Sequence, residues 1–411
     1  MNAESTDVLI VGAGPSGLTA ATELARDNRV IVIEREQVAG GIPRHSDHTG
    51  YGLRDLKKVM SGPQYARVLS GRAERSGADI RTETMMTGWI DERSVVVTSP
   101  AGRYEINAGA VILATGARER PRSARLVAGD RPTGVLTTGS LQNLVHVHHR
   151  SPGTRAVVVG SELVSWSAVL TLREAGCETV AMVTDRDRPE SYGAFHQSAK
   201  RLLATPVSTL TKVRRVIGRD RVEAVETEHV VTGSIRTIPC DVVVFTGDWI
   251  PDHELARLGA LTLNPGSLGP EVDTMLRTSR PGVFAIGNLV HPVDTADVCA
   301  LDGRHVADPV RAYLAGSRPK AEGIRLDVEA PLRWVAPTVV RVGDQAPARR
   351  RLLMWSDEFR PVARIEAVQA GRVIGRVTLP WAAAPGRVLR VPWSLLDQRD
   401  SAGATITFRL L

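Results

Sequence analysis

Two groups of residues in this chain have the types and spacing that chemistry requires. The first lies in the run Val8 to Gly17, VLIVGAGPSG, where Gly12, Gly14 and Gly17 keep the G-x-G-x-x-G spacing directly after an apolar stretch. Gly12 allows a tight turn, Gly14 lets the backbone approach a pyrophosphate, and Gly17 lets a helix pack closely on a strand. Pro15 and Ser16 sit inside the same turn, where a helix amino end offers free N–H groups and a positive dipole to phosphates. Glu34 closes a second apolar run 22 residues after Gly12, placed to accept hydrogen bonds from ribose hydroxyls, with Arg35 beside it. The second group is Arg44, His45, Asp47 and His48, four titratable side chains within five positions, just after Gly40-Gly41. The glycine pair suits a loop that lies close to a flat ligand. Arg44 can orient a substrate carboxylate, and His45 or His48 can take a proton. A loop whose His, Ser and Asp side chains bond their own backbone accounts for the same residues equally well.

The elements needed to position the first group are all present. Val8 to Val11 reads as a buried parallel strand, Leu18 to Arg26 as a helix and Val30 to Ile33 as the next strand. A lone glycine fingerprint is weak, but strand, helix, second strand and acid together define a dinucleotide site. Leu53 to Ser76 reads as helical with a break near Gly62-Pro63, and short β-like runs follow over Thr82–Ile90, Ser94–Thr98 and Arg103–Ile106. The strand Ala110 to Ala114 then ends in Thr115-Gly116, a small-residue turn that lets backbone lie against a cofactor.

A second βαβ unit starts at Arg155. Here Gly160 takes the first fingerprint position, but Glu162 stands at the second and Ser165 at the third. A carboxylate at the second position brings bulk and negative charge to the place of a pyrophosphate. Asp185 is a hint towards NAD, and Arg186 is a poor candidate for a 2′-phosphate pocket. The unit reads as a domain that keeps its fold and has lost or altered its ligand, with NAD(P) or another adenine nucleotide left open. Arg214 to Glu228 and His229 to Ile238 suggest a hairpin, and Asp241 to Asp248 a strand ending in a glycine turn. Farther on, Val283 to Ile286 is a short buried strand ended by Gly287-Asn288, before a helix starting near Asp294, with Asp294 and Thr295 as N-cap candidates. Such a turn can hold a ribityl chain and aim a helix dipole at a reduced, anionic ring.

The 411-residue length admits two or three domains, and 43% hydrophobic with 24% charged residues is ordinary for a globular protein. The net charge of +7 comes from scattered arginines without a long basic run, which argues against nucleic-acid recognition. No apolar stretch reaches membrane-spanning length, and the chain enters its first strand too early for a signal peptide, so a cytoplasmic location is expected. Cys177, Cys240 and Cys299 are far apart and form no C-x-x-C or metal-spaced cluster, so neither a structural disulfide nor a metal site is expected.

Taken together, VGAGPSG with Glu34, Gly40-Gly41, the ATG of Ala114 to Gly116, a central second βαβ unit and the FAIGN of Phe284 to Asn288 resemble the FAD-dependent pyridine nucleotide-disulfide oxidoreductase superfamily. The resemblance covers roughly residues 1 to 320. Within the superfamily, the GGIPRH segment and the altered second fingerprint are most similar to α or B subunits of amino-acid, opine and cyanide-forming dehydrogenases. Flavoproteins associated with glycerol-3-phosphate dehydrogenases form a neighbouring group. The resemblance implies FAD in the first domain, with Gly12, Gly14 and Gly17 at the pyrophosphate, Glu34 at the adenosine ribose, and Gly287 and Asn288 at the ribityl-pyrophosphate. Asn288 replaces the superfamily's usual Asp, keeping an acceptor but no charge. Thiol–disulfide exchange needs a thiolate pair, and three isolated cysteines do not supply one.

From about Leu326 the chain changes to short, alternating β-like runs, which suggests a small all-β sandwich or barrel. It carries Trp334, Trp355, Trp381 and Trp393, for which core packing is the better reading than partner docking. The expected architecture is therefore α/β. An FAD-binding Rossmann-like domain (1–122 and 271–322) receives a second Rossmann-like domain (123–270), and a β domain (326–411) follows. The expected activity is hydride transfer from a small amine or hydroxyl substrate to flavin N5, with Arg44, His45 and His48 as substrate-orienting and proton-removing candidates and Thr295 at the start of the helix facing the ring. A second flavoprotein subunit or a homo-oligomer is the partner to be considered. An NAD(P)H-dependent flavin reductase and a flavin-carrying subunit of a larger complex are the alternatives.

Overall fold

The opening apolar run becomes strand β1 (Ala3–Val11), whose last four residues are buried. It leads into helix α1 (Pro15–Leu24), capped by Gly14 and started by Pro15, whose missing N–H is no loss in a first turn. Strand β2 (Val30–Ile33) follows, fully buried. This computed structural model describes residues 3–318, 320, 322–401 and 403–411. Helix α2 spans Gly62–Arg75 and starts later than the sequence suggests. The cause is local: Ser61 Oγ accepts the Gln64 N–H (3.4 Å) while Gln64 Oε1 accepts the Ser61 N–H (3.2 Å), with Pro63 in the first turn. Residues 53–61 form turns and the short strand Met60–Ser61 instead.

Strands β3 (Asp79–Arg81), β4 (Met85–Trp89), β5 (Ser94–Ser99) and β6 (Gly102–Leu113) complete the first stretch. The sheet runs β3-β2-β1-β6-β5-β4. The chain divides into two compact units: residues 1–44, 49–117 and 251–411 form one, and 45–48 with 118–250 the other. In the second unit, β7 (Val135–Thr137), β8 (Arg155–Val159), α3 (Leu163–Glu174), β9 (Glu178–Val183), β10 (Val207–Ser208) and β11 (Val242–Phe245) build a parallel sheet of order β7-β11-β8-β9-β10. Beside it, Thr211–Ile217, Ala224–His229 and Ile235–Pro239 pair antiparallel, where a single hairpin was expected.

The first unit resumes with β12 (Val283–Ala285), α4 (Ala296–His305) and α5 (Ala307–Leu314). β12 pairs parallel with the carboxyl-end half of β6, while the other half of β6 pairs antiparallel with β5. The carboxyl ends of β1, β6 and β12 thus lie side by side, and Gly12, Ala114 and Gly287 follow from them, as ligand sites in such sheets require. Helix α4 lies against α1 because Gly303 has no side chain: a Cβ there would stand 2.2 Å from the Ser16 carbonyl oxygen. Leu9, Ile10, Ile31, Ile112 and Phe284 are fully inaccessible in the core. Each such side chain contributes about 1.5–3 kcal/mol through burial.

The tail is a sandwich of a five-stranded and a three-stranded sheet, the latter Leu332–Ala336, Arg351–Ser356 and Val388–Pro392. Trp334 and Trp393 are buried, and Trp334 stacks on half-buried Trp355 with ring centroids 6.2 Å apart, so core packing describes these three. Trp381 is 68% exposed and does not belong to the core. Trp334, Ala336 and Leu353 join the hydrophobic core of the Rossmann-like sheet. Arg325 with Glu271 (2.9 Å) and Arg341 with Asp273 (2.9 Å) fasten the same face. Among the described residues no helix is long and apolar enough to cross a membrane.

Candidate functional site

At the carboxyl end of β1 the three fingerprint glycines do different work. Gly12 has φ of +106°, and a Cβ there would meet the Ala114 carbonyl oxygen at 2.5 Å. A Cβ on Gly17 would stand 2.0 Å from the Gly12 oxygen, so only glycine lets α1 sit this close to the turn. A Cβ on Gly14 would meet nothing within 4 Å. The turn is closed on its inner side and open where a phosphate would approach.

Glu34 is buried, and its carboxylate accepts the Ala13 N–H (2.9 Å) and the Glu36 N–H (3.0 Å). It braces the glycine turn and the loop beyond β2 and still has lone pairs for hydroxyl donors. That loop returns to the turn: Gly40 N–H donates to the Ala13 oxygen (2.8 Å), and a Cβ on Gly41 would stand 2.9 Å from Gly14 Cα. Arg35 pairs with Asp252 (3.3 Å), whose carbonyl accepts the Thr115 hydroxyl (2.7 Å) and whose N–H donates to the Gly116 oxygen (2.9 Å). Gly116, at φ of +77°, has open space on its Cβ side, as Gly14 does.

Gly287 has φ of +68° and would place a Cβ 2.8 Å from Ser16 Oγ, which ties the third strand end to the glycine turn. Asn288 spends its amide on the backbone of Asp294: its oxygen accepts the Asp294 N–H (2.9 Å) and its nitrogen donates to the Asp294 oxygen (3.1 Å). Of the two N-cap candidates, Thr295 takes the position, and Asp294 Oδ1 accepts the Thr295 N–H at 2.7 Å. The Thr295 hydroxyl donates to Asp297 Oδ1 (2.6 Å), and Arg54 pairs with buried Asp297 (3.2 Å).

Deeper in the same helix, Asp302 accepts from Gly287 N–H (3.3 Å), from Arg349 (3.1 Å), and bonds His291 Nε2 (2.5 Å). Burial pushes its carboxyl up, but the charges of His291 and Arg349 outweigh this and hold it at about 2. Sequence reasoning missed Asp302, His291 and Arg349. Asp302 sits one position before Gly303, and that acid at a helix–helix contact was the available signal.

The polar loop after Gly41 does not act as one group. Arg44 belongs to the first unit, where it pairs with Glu36 (3.5 Å) and donates to the Val38 oxygen (3.2 Å). His45 and His48 belong to the second unit; His45 is buried and His48 half-buried. In that unit Ser46 bonds Gln142, which bonds Ser167 (2.8 Å).

The fingerprint of the second unit is filled by its own side chains. The carboxylate of Glu162 lies over Gly247, where a Cβ would come within 2.2 Å of Glu162 Oε1. Ser165, in the third glycine's position, accepts the Glu162 N–H (3.0 Å) and bonds Thr246 Oγ1 (2.6 Å). Ser161, between Gly160 and Glu162, donates to Glu190, which also accepts from the Thr184 hydroxyl (3.2 Å). Burial pushes Glu162 up to about 8, helped by nearby Glu190 and Glu119, against the pull of Arg125. Arg125 itself donates to the carbonyls of Thr246 (3.0 Å) and Gly247 (2.7 Å).

A family model described as pyridine nucleotide-disulphide oxidoreductase matches residues 6–303. The chain belongs to this family. It is an FAD-dependent oxidoreductase of the α/β class with two Rossmann-like folds, in a family where NAD(P) is the usual second nucleotide. It is 30% identical over 301 residues to a thioredoxin reductase of Treponema pallidum, covering 69% of this chain and 88% of that one. It is 29% identical over 359 residues to the sarcosine oxidase subunit alpha of Rhizobium meliloti, covering 80% of this chain but only 33% of that subunit. The fold is also that of the thioredoxin reductase of T. acidophilum, with a TM-score of 0.64 at 20% identity, covering 75% of this chain and 98% of that one.

Proposed function

We propose that this protein is a flavin dehydrogenase that takes a hydride from a carbon bearing an amine or a hydroxyl, and that it does not draw electrons from NAD(P)H. A bound flavin supplies a hydride acceptor at N5; the remaining work falls to the chain. Gly12, Gly14, Pro15, Ser16 and Gly17 line the pyrophosphate, with N–H groups of the first turn of α1 facing it. Glu34, with Arg35 beside it, takes the ribose, while Gly40, Gly41, Thr115 and Gly116 give smooth backbone against the rest of the cofactor. Gly287, Asn288 and Thr295 shape the turn before α4, whose amino end stabilises negative charge. Arg44 orients substrate, and His45 or His48 holds the proton to be removed.

The observation that carries the reading is Glu162. A side chain that occupies the fingerprint turn of the second unit leaves no phosphate-sized opening there and offers no positive end to an anion. The cysteines support the absence of thiol chemistry: burial pushes the Cys177 thiol up to about 12, the Cys240 thiol up to about 11, and the Cys299 thiol well above its usual range. None of the three offers the thiolate that exchange requires.

A second reading is favoured by length. Because the chain spans only a third of the sarcosine oxidase subunit it resembles, it also suits a flavin-carrying subunit that needs a partner. Anaerobic titration of the yellow protein separates the readings. Bleaching of the flavin band by an amine or hydroxy acid, with none by NADH or NADPH, is expected. Stoichiometric bleaching by either nicotinamide overturns the proposal in favour of a reductase, and bleaching that appears only with a co-purified subunit favours the second reading.

A further inference from the structure

We infer that Arg390, supplied by the C-terminal sandwich, is a positioning residue that sets the charge at the amino end of α4 and so governs how readily the flavin is reduced. The inference rests on the reading that this helix end serves the ring. Asp294 sits just before the N-cap, and its Oδ1 accepts both the Thr295 N–H (2.7 Å) and Arg390, 96 residues farther along the chain. Asp297 sits in the first turn, buried, against Arg54 (3.2 Å). Two carboxylates in one turn would cancel the positive end of the helix dipole; two guanidinium groups restore it. Only one of those cations comes from the Rossmann-like part.

Two further features mark this pair. Asp294 is 6% exposed, yet its Oδ2 has no partner among the described residues, and neither does the buried Arg390 Nε. Polar atoms left open at this depth are costly unless a bound group completes them. The pairing also does not hold the sandwich in place by itself. Trp334, Ala336 and Leu353 in the shared core, and the Arg325–Glu271 and Arg341–Asp273 pairs, do that work independently. Removing Arg390 should therefore change charge at the helix end more than it changes the fold.

Two-electron reduction of a flavin with uptake of one proton adds one negative charge, which this helix end must face. An uncompensated Asp294 opposes that charge; an uncompensated Arg390 favours it. The test is the two-electron midpoint potential of the FAD-loaded full chain, read against reference dyes, for wild type, Arg390→Gln, Arg390→Lys and Asp294→Asn. Arg390→Gln is expected to lower the equilibrium constant for reduction about tenfold, a shift of about 30 mV to more negative values. Arg390→Lys should recover most of it, and Asp294→Asn should shift the potential the opposite way. A purely structural role would move both deletions in one direction, and that result, or unmoved potentials in yellow variants, would overturn the inference. Should Arg390→Gln fail to fold, Arg390→Lys and Asp294→Asn still decide: a positive shift in Asp294→Asn with Arg390→Lys near wild type supports it, and no shift in Asp294→Asn overturns it. A wild-type protein that takes up no FAD would instead sink the flavin reading beneath it.

Discussion

The chain contains two strand–turn–helix units of the same design, and they treat the same position in opposite ways. In the first, Gly14 leaves open space at the turn. In the second, Glu162 stands there with its carboxylate folded over Gly247. The third position differs as consistently. Gly17 is needed because a Cβ would stand 2.0 Å from the Gly12 oxygen, whereas Ser165 is accommodated and its hydroxyl bonds Thr246 and the Glu162 N–H. The strand, turn and helix survive all of these exchanges. What the fold preserves is the scaffold, and what a ligand meets is decided by one or two side chains.

Electrostatics follow the same division. Asp302 and Glu162 are both buried acids next to a strand-end glycine. Asp302 has His291 and Arg349 against it and stays ionised; Glu162 has two other acids nearby and is held neutral. Burial raises both, and the neighbouring charges decide the sign of the outcome.

The largest effect should come from moving the second unit's device into the first. Gly14→Glu has room for its side chain, so the fold should persist by circular dichroism, while a carboxylate now meets the pyrophosphate. Like-charge contact of this kind costs several kcal/mol. The purified variant should be colourless, with no flavin band; a yellow Gly14→Glu protein would break the comparison outright.

Next is Asp302→Asn, which leaves His291 and Arg349 without their counter-charge. Thermal or denaturant unfolding should show a loss of about 3 kcal/mol or more. The pH dependence has a defined sign. The folded carboxyl lies at about 2, below its ordinary value of 3.8, so its stabilisation is present above that ordinary value and is lost as pH falls towards about 2. Wild type should lose stability across that window more steeply than the variant.

The legible parts of the molecule were those written in contiguous residues. The first βαβ unit, Glu34, the ATG turn, the AIGN strand end and the damaged second fingerprint all lie within short runs, where strand periodicity and glycine spacing are readable. Hidden parts depend on residues that meet only after folding. Arg349 reaches Asp302 across 47 positions and Arg390 reaches Asp294 across 96, and no local pattern announces either pairing. The Arg44–His48 loop shows the opposite failure. Its density of titratable groups suggested one cluster, but sequence adjacency does not fix membership in a packed unit, and Arg44 lies apart from His45 and His48.

A smaller effect, at constant shape, tests the neutral state of Glu162. Its folded value near 8 lies above the ordinary 4.5, so the stabilisation of the protonated group is present below pH 4.5 and is lost as pH rises through 8. Glu162→Gln keeps the volume and removes the titration. The variant should flatten the fall in thermal stability over this range, by on the order of 2 kcal/mol. An unchanged pH profile would mean that Glu162 is ionised in the folded unit and that Arg125 dominates its surroundings.

The smallest expected effect is the reverse graft. Glu162→Gly removes the carboxylate from the turn and vacates the space over Gly247, but Ser161 still holds Glu190 and Ser165 still holds Thr246. One acid therefore remains close to where a phosphate would enter. The gain in nicotinamide nucleotide affinity should be modest, about tenfold or about 1.4 kcal/mol, read by quenching of tryptophan fluorescence on adding NADH. Adding Glu190→Gln should raise it further, because the second carboxylate would no longer repel the phosphates. If the single variant instead bound NADH tightly, the other acid would be irrelevant and one side chain would account for the whole difference between the two units. If neither variant bound, the altered turn would be a consequence of a site already lost elsewhere in the second unit, rather than its cause.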